Sequence, residues 1–242
     1  MQIKEIREEL SKNSKKVYNV FSTDDDDKKT ALVVTHLLYR GGAPLVLLEM
    51  MECLADRYNI VLISQRDGDL SKEFTDRGYT IYIGGLDSYV NCNEAVWSSL
   101  DVVLLNTIAS NELCELFQNK YVPVIWWIHE TEMILDYFKE TIDSLSMFSE
   151  NYEILSVSDL TAECIRDYYG IDSKVLHMGI RDEWKPVVKN ADKTRFFIPA
   201  AFMEIKGIDV IEQAIRLLPE ELILQTEFYF AGTVPEDRMY YD

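Results

Sequence analysis

From Thr30 onward, short continuous apolar runs alternate with stretches whose apolar positions recur every three or four residues. The runs Ala31–Val34, Asn59–Ile63, Thr80–Ile83, Val102–Leu105, Val122–Ile128, Glu153–Val157 and Ser173–Leu176 are predicted strands. A strand that is apolar at nearly every position has no side to show to water, so these strands are expected to be covered on both faces. Helices are predicted between them. Pro44–Arg57 turns Leu45, Leu48, Met51 and Leu54 inward, and Leu70–Arg77 is closed by Gly78. Helices also fit at 91–99, 108–119, Thr131–Met147 and Thr161–Tyr169, the last opened by Ser158 and ended by Gly170. This alternation predicts an α/β fold, a Rossmann-like parallel sheet with helices on both faces.

The two ends of the chain differ from this pattern. Ile3, Ile6 and Leu10 recur at helical spacing among charges and predict an amphipathic helix within residues 1–16. The acidic run Ser22–Lys29 reads as a solvated linker. Pro186–Asp192 is polar and aperiodic, and a domain boundary is expected there. Beyond it come a strand at Arg195–Ile198, a helix at Ile208–Leu217 and a strand at Glu227–Ala231. One strand–helix–strand unit cannot cover both faces of its own sheet, so the second domain reads as incomplete. The expected division is 1–28, 29–185 and 186–242.

The 242 residues carry 24 Lys and Arg against 42 Asp and Glu, a net charge of -18. Such a surface repels phosphate backbones and argues against nucleic-acid binding. A local site for one diphosphate is still allowed. No apolar run approaches the roughly 20 residues of a membrane-spanning helix, and the N-terminus has no signal-peptide core. The cysteines Cys53, Cys92, Cys114 and Cys164 are widely spaced. They read as reduced thiols in a cytoplasmic protein and as no structural metal site.

Candidate chemistry lies where predicted strands end. Thr35-His36-Leu37-Leu38-Tyr39-Arg40-Gly41-Gly42-Ala43-Pro44 joins the first strand to its helix. Paired glycines there let backbone N–H groups approach a phosphate or a sugar. The spacing GxGxxG is absent, so this is not a dinucleotide fingerprint. Trp126-Trp127-Ile128-His129-Glu130 places a His at the next such end. His129 can bond sugar hydroxyls or steady developing positive charge, and Glu130 can orient it or favour the next helix start. Ser156-Val157-Ser158-Asp159 is a further strand-to-helix junction, and His177-Met178-Gly179-Ile180 is a loop. In Glu204-Ile205-Lys206-Gly207, Lys206 precedes a helix start suited to a diphosphate.

In this order the motifs resemble the retaining glycosyltransferases of group four, which have the GT-B fold. The resemblance spans residues 29 to about 232. It implies a nucleotide-diphosphate sugar as donor and a glycan or glycoconjugate as acceptor. The N-terminal domain would hold the acceptor. Transfer would retain the anomeric configuration, need no metal or cofactor, and serve polysaccharide assembly. By similarity, Gly41 and Gly42 would lie near the donor phosphates, His129 near the transferred sugar, and Lys206 at the diphosphate. Arg40, Glu130, Ser158 and Gly179 are acceptor or cleft candidates.

There are departures from the family pattern. The Gly-Arg usual before Lys-Gly is Ala200-Ala201 here, and Asn-Gly-Val-Asp is Met178-Gly179-Ile180-Arg181. The Glu-x7-Glu segment of the family would fall beyond Asp242. This chain alone is therefore expected to be an inactive part of a transferase. Two other readings stand beside it. One is a non-catalytic glycan-binding subunit working as a homodimer or with a partner subunit. The other is a sugar-nucleotide epimerase of the same fold.

Overall fold

A computed structural model describes residues 1–20, 24–118, 120–144, 150–179, 192–202 and 206–232. The chain divides into two compact units, Met1–Ile180 and Arg181–Asp242. The first unit runs α1 (Ile3–Asn13), β1 (Lys16–Tyr18), β2 (Lys29–Leu37), α2 (Gly42–Leu54), β3 (Tyr58–Arg66), α3 (Ser71–Asp76), β4 (Ile81–Ile83), α4 (Leu86–Tyr89), α5 (Glu94–Ser98) and β5 (Val102–Asn106). It continues with α6 (Asn111–Cys114), β6 (Val124–Ile128), α7 (Glu132–Ser144), β7 (Tyr152–Ser156), α8 (Asp159–Tyr169) and β8 (Lys174–Val175).

These strands form one sheet in the order β1-β4-β3-β2-β5-β6-β7-β8. All neighbours are parallel except β1, which runs antiparallel to β4. Successive residues of the apolar runs go to opposite faces, as the period of a strand requires. Leu32, Val34, Val103, Leu105, Trp126 and Ile128 pack with Ile3, Ile6 and Leu10 of α1, Leu135 of α7 and Ile165 of α8. Val33, Leu104 and Trp127 pack on the other face with Leu47, Leu48 and Met51 of α2 and Phe74 of α3. The doubly covered parallel sheet expected from the sequence is present.

Some expectations are corrected. Leu45 is not inward but 39% exposed. Helix α2 starts at Gly42 and buries Pro44, Leu47, Leu48 and Met51, and Leu45 lies off that stripe. The helix expected at 91–99 is the shorter α5 at Glu94–Ser98, and α4 precedes that range. The helix expected at 108–119 breaks into 3-10 turns at Ile108–Ser110 and Glu115–Phe117 around α6. Ser110 Oγ donates to Asn106 O at 2.6 Å, which competes with a regular helix start.

The aspartates of the acidic run, Asp24–Asp27, are exposed as expected, and the run is also tied down at two points. Arg7 donates to both Asp24 oxygens, at 2.8 and 2.7 Å. Asn59 Oδ1 accepts from the Asp25 N–H at 2.9 Å. Residues 145–147 of the expected long helix and 186–191 of the expected boundary lie outside the described residues.

The second unit holds β9 (Thr194–Pro199), α9 (Ile208–Arg216), α10 (Glu220–Leu224) and β10 (Thr226–Ala231). β9 and β10 pair in parallel from Thr194↔Thr226 to Pro199↔Ala231. Phe196 stacks on Phe228 with ring centroids 5.2 Å apart.

Candidate functional site

The carboxyl ends of β2, β5 and β6 bring together most of the residues singled out in the sequence. Leading from β2 into α2, Gly41 is the N-cap in an extended conformation, with no side-chain cap bond and no acidic residue in the first turn. Pro44 has no N–H to offer. The N–H groups of Gly42 and Ala43 therefore begin the helix without intrahelical acceptors. This helix start suits an anion. A Cβ on Gly41 would fall 2.2 Å from the Tyr39 ring, whereas one on Gly42 would meet nothing within 4 Å. Arg40 does not line this helix start freely. Its guanidinium is paired with Glu73 of α3.

The end of β6 supplies His129 and Glu130. His129 packs its ring on Trp127, with centroids 4.6 Å apart. Its Nε2 is buried and has no hydrogen-bond partner among the described residues. Burial pushes its pKa down to about 4, so the ring is neutral at neutral pH. Glu130 does not hold the ring. Its Oε2 accepts from the backbone N–H of His129 and of Ile108, each at 3.0 Å. The carboxylate thus braces the loop after β6 against the loop after β5. Burial raises its pKa, and those two bonds act the other way.

Sequence reasoning missed three residues here. Asn106 is fully buried at the end of β5, and its Oδ1 has no partner among the described residues. Its Nδ2 reaches Ala43 O at 3.4 Å. Thr107 follows it with φ 72°. Thr107 Oγ1 lies 3.0 Å from Nδ1 of His36, at the end of β2. Burial, with a lesser push from the charge of Arg66, brings His36 down to about 4 as well. The available signal was a His two residues after a buried apolar run, two strand ends away from His129.

The other candidates lie elsewhere. Ser158 is the N-cap of α8, accepting from Thr161 N at 3.1 Å, a structural role. Gly179 is exposed after β8, and a Cβ there would meet nothing within 4 Å. Lys206 belongs to the second unit and is exposed. It precedes Gly207, whose left-handed conformation (φ 65°) caps α9.

No curated protein sequence matches the chain. Several solved structures share its fold. A glycosyltransferase from Rickettsia africae ESF-5 superposes with a TM-score of 0.55 at 13% identity, over 87% of this chain and 69% of that one. The lipopolysaccharide outer core galactosyltransferase WaaB superposes with a TM-score of 0.50 at 14% identity, over 84% and 68%. Residues 27–180, the whole parallel sheet with its carboxyl-end cluster, match the family model described as glycosyl-transferase family 4. That match takes in well over half of the chain, which therefore belongs to the family-4 glycosyltransferases and has their GT-B, Rossmann-like fold.

Proposed function

We propose that the protein transfers a hexosyl group from a nucleotide-diphosphate sugar to a glycan or glycoconjugate hydroxyl, with retention, in cytoplasmic polysaccharide assembly. The observation that carries this reading is His129, a neutral imidazole whose buried Nε2 has no partner among the described residues, at the same end of the sheet as the open start of α2. In the proposed role His129 Nε2 bonds a hydroxyl of the transferred sugar, and the N–H groups of Gly42 and Ala43 face its phosphates. Glu130 keeps the His129 loop in place, so that little reorganisation is needed as charge develops at the anomeric carbon. No metal takes part in the proposed reaction.

The test is release of nucleoside diphosphate from a panel of uridine, guanosine and adenosine diphosphate sugars, with the anomeric configuration of the product read by proton NMR. His129→Ala is expected to lower turnover about 10²-fold, and EDTA to leave it unchanged. If the whole protein consumes no donor in the panel, the reading fails. Ala200 and Ala201, where the family carries a second cation, favour one other reading, a non-catalytic glycan-binding subunit. That protein would bind glycans and consume no donor.

A further inference from the structure

The strand order reverses between β2 and β5, with β3 and β4 beyond one and β6, β7 and β8 beyond the other. Open α/β sheets take ligands in the crevice outside such a reversal. Thr107 stands there. It is the non-glycine residue with positive φ among the described residues, a conformation that a β-branched side chain disfavours. Besides a bond from the Ser110 N–H to its carbonyl at 3.3 Å, three bonds tie it to other strands. Its N–H donates to Trp127 O at 2.9 Å, its carbonyl accepts from Trp126 Nε1 at 2.7 Å, and its hydroxyl meets His36 Nδ1 at 3.0 Å.

The result is an anchored imidazole with one nitrogen left over. His36 is half-buried, and its Nε2 makes no hydrogen bond among the described residues. Whichever tautomer the Thr107 hydroxyl selects, Nε2 is left as a single donor or a single acceptor. A sugar hydroxyl, being both, satisfies either. The Tyr39 ring is 6.2 Å from the His36 ring and 43% exposed. The carboxylate of Glu130 is near enough to Tyr39 to raise its pKa, second to burial. Arg40 is paired with Glu73, which leaves Arg66 as the neighbouring cation.

We propose that this crevice is a subsite for one hydroxyl of an uncharged sugar, received by His36 Nε2 beside Tyr39, and that Thr107 is the positioning residue that fixes the ring. The assignment rests on reading the protein as a glycosyltransferase and names the chemistry of its acceptor.

The chain has three histidines, so a spectrum of the 15N-labelled imidazoles resolves His36, His129 and His177. Methyl glycosides of glucose, galactose and mannose are the probes, with methyl glucuronide as the charged control. The expected result is movement of the His36 Nε2 resonance with at least one neutral glycoside, and weaker movement with the glucuronide. Thr107→Ser should keep this response and Thr107→Val should weaken it at least tenfold. No movement at His36 with any neutral glycoside overturns the subsite, as does a stronger response to the glucuronide. A response that Thr107→Val leaves unchanged overturns the role of Thr107. Donor consumption, measured separately, distinguishes the two failures. Glycoside binding without donor consumption removes the transferase reading alone, and donor consumption without glycoside binding at His36 removes the subsite alone.

Discussion

Trp126 and Trp127 are adjacent, equally large and almost completely buried, at 1% and 2% exposure, yet they serve opposite faces of the sheet. The Trp126 Nε1–H donates to the Thr107 carbonyl at 2.7 Å, whereas Trp127 Nε1 has no partner among the described residues. Replacing each by Phe removes a similar apolar volume, at about 1–2 kcal/mol. Trp126→Phe also removes the shorter of the two bonds to the Thr107 carbonyl, which keeps the Ser110 N–H at 3.3 Å, a further ~1 kcal/mol. Trp127→Phe instead removes a buried donor that was unpaired, which offsets its volume loss by about 1 kcal/mol. The expected losses are therefore about 2.5 and about 0.5 kcal/mol. With a urea slope of about 2 kcal/mol per M, the two midpoints should lie about 1 M apart. Far-UV circular dichroism in urea gives both midpoints. Losses equal within ~0.5 kcal/mol would refute the reasoning, because they would mean that the Trp126–Thr107 bond contributes nothing beyond packing.

Other expectations follow from the same contacts. Burial alone would raise the Asp67 carboxyl, but bonds from Lys16, Tyr18 and Ser71 override it and hold it well below the usual range. Its contribution is therefore present above about pH 4 and lost as pH falls further. Asp67→Asn should cost about 1 kcal/mol at pH 7 after allowance for its partial exposure, and the gap in urea midpoint should narrow toward pH 2. His36 and His129, both pushed to about 4, lie below the roughly 6.5 of an unfolded chain. Their neutral forms stabilise the fold fully above pH 6.5 and less as pH falls to 4, so Tm should drop across that window and drop less in His129→Gln. Leu10→Ala, at 0% exposure, should cost about 2–4 kcal/mol in urea, and Leu45→Ala less than about 0.5.

What the sequence revealed and what it hid have physical reasons. The strands of the parallel sheet were legible because Leu32-Val33-Val34 and Trp126-Trp127-Ile128 are apolar at consecutive positions, which only a doubly covered strand requires. Strand β1 was not, because three residues, an exposed Lys16 and the half-buried Val17 and Tyr18, carry no periodic signal. The region 108–119 looked helical from its apolar spacing, but the bond from Ser110 to Asn106 breaks the backbone ladder first. At the site, His129 stood out because it ends an apolar run. Its partner in position was harder to see. Glu130 looked like an orienter of the ring, but its bonds go to backbone N–H groups that only the folded loops bring together. Thr107 was invisible for a related reason, since a positive φ at Thr leaves no trace in composition and depends on long-range bonds to Trp126, Trp127 and His36.

The short antiparallel strand β1 has a consequence for how copies of this protein meet. A sheet that ended at β4 would present a row of open backbone groups on which another chain could template itself. Here one margin is closed by three residues, with Lys16 and Tyr18 both bonded to Asp67, and the opposite margin is the two-residue β8. Neither margin of this sheet is long enough to support strand-by-strand growth. Any neighbour of the first unit must then be recognised through side chains on its helices and loops, where a single substitution can admit or refuse it.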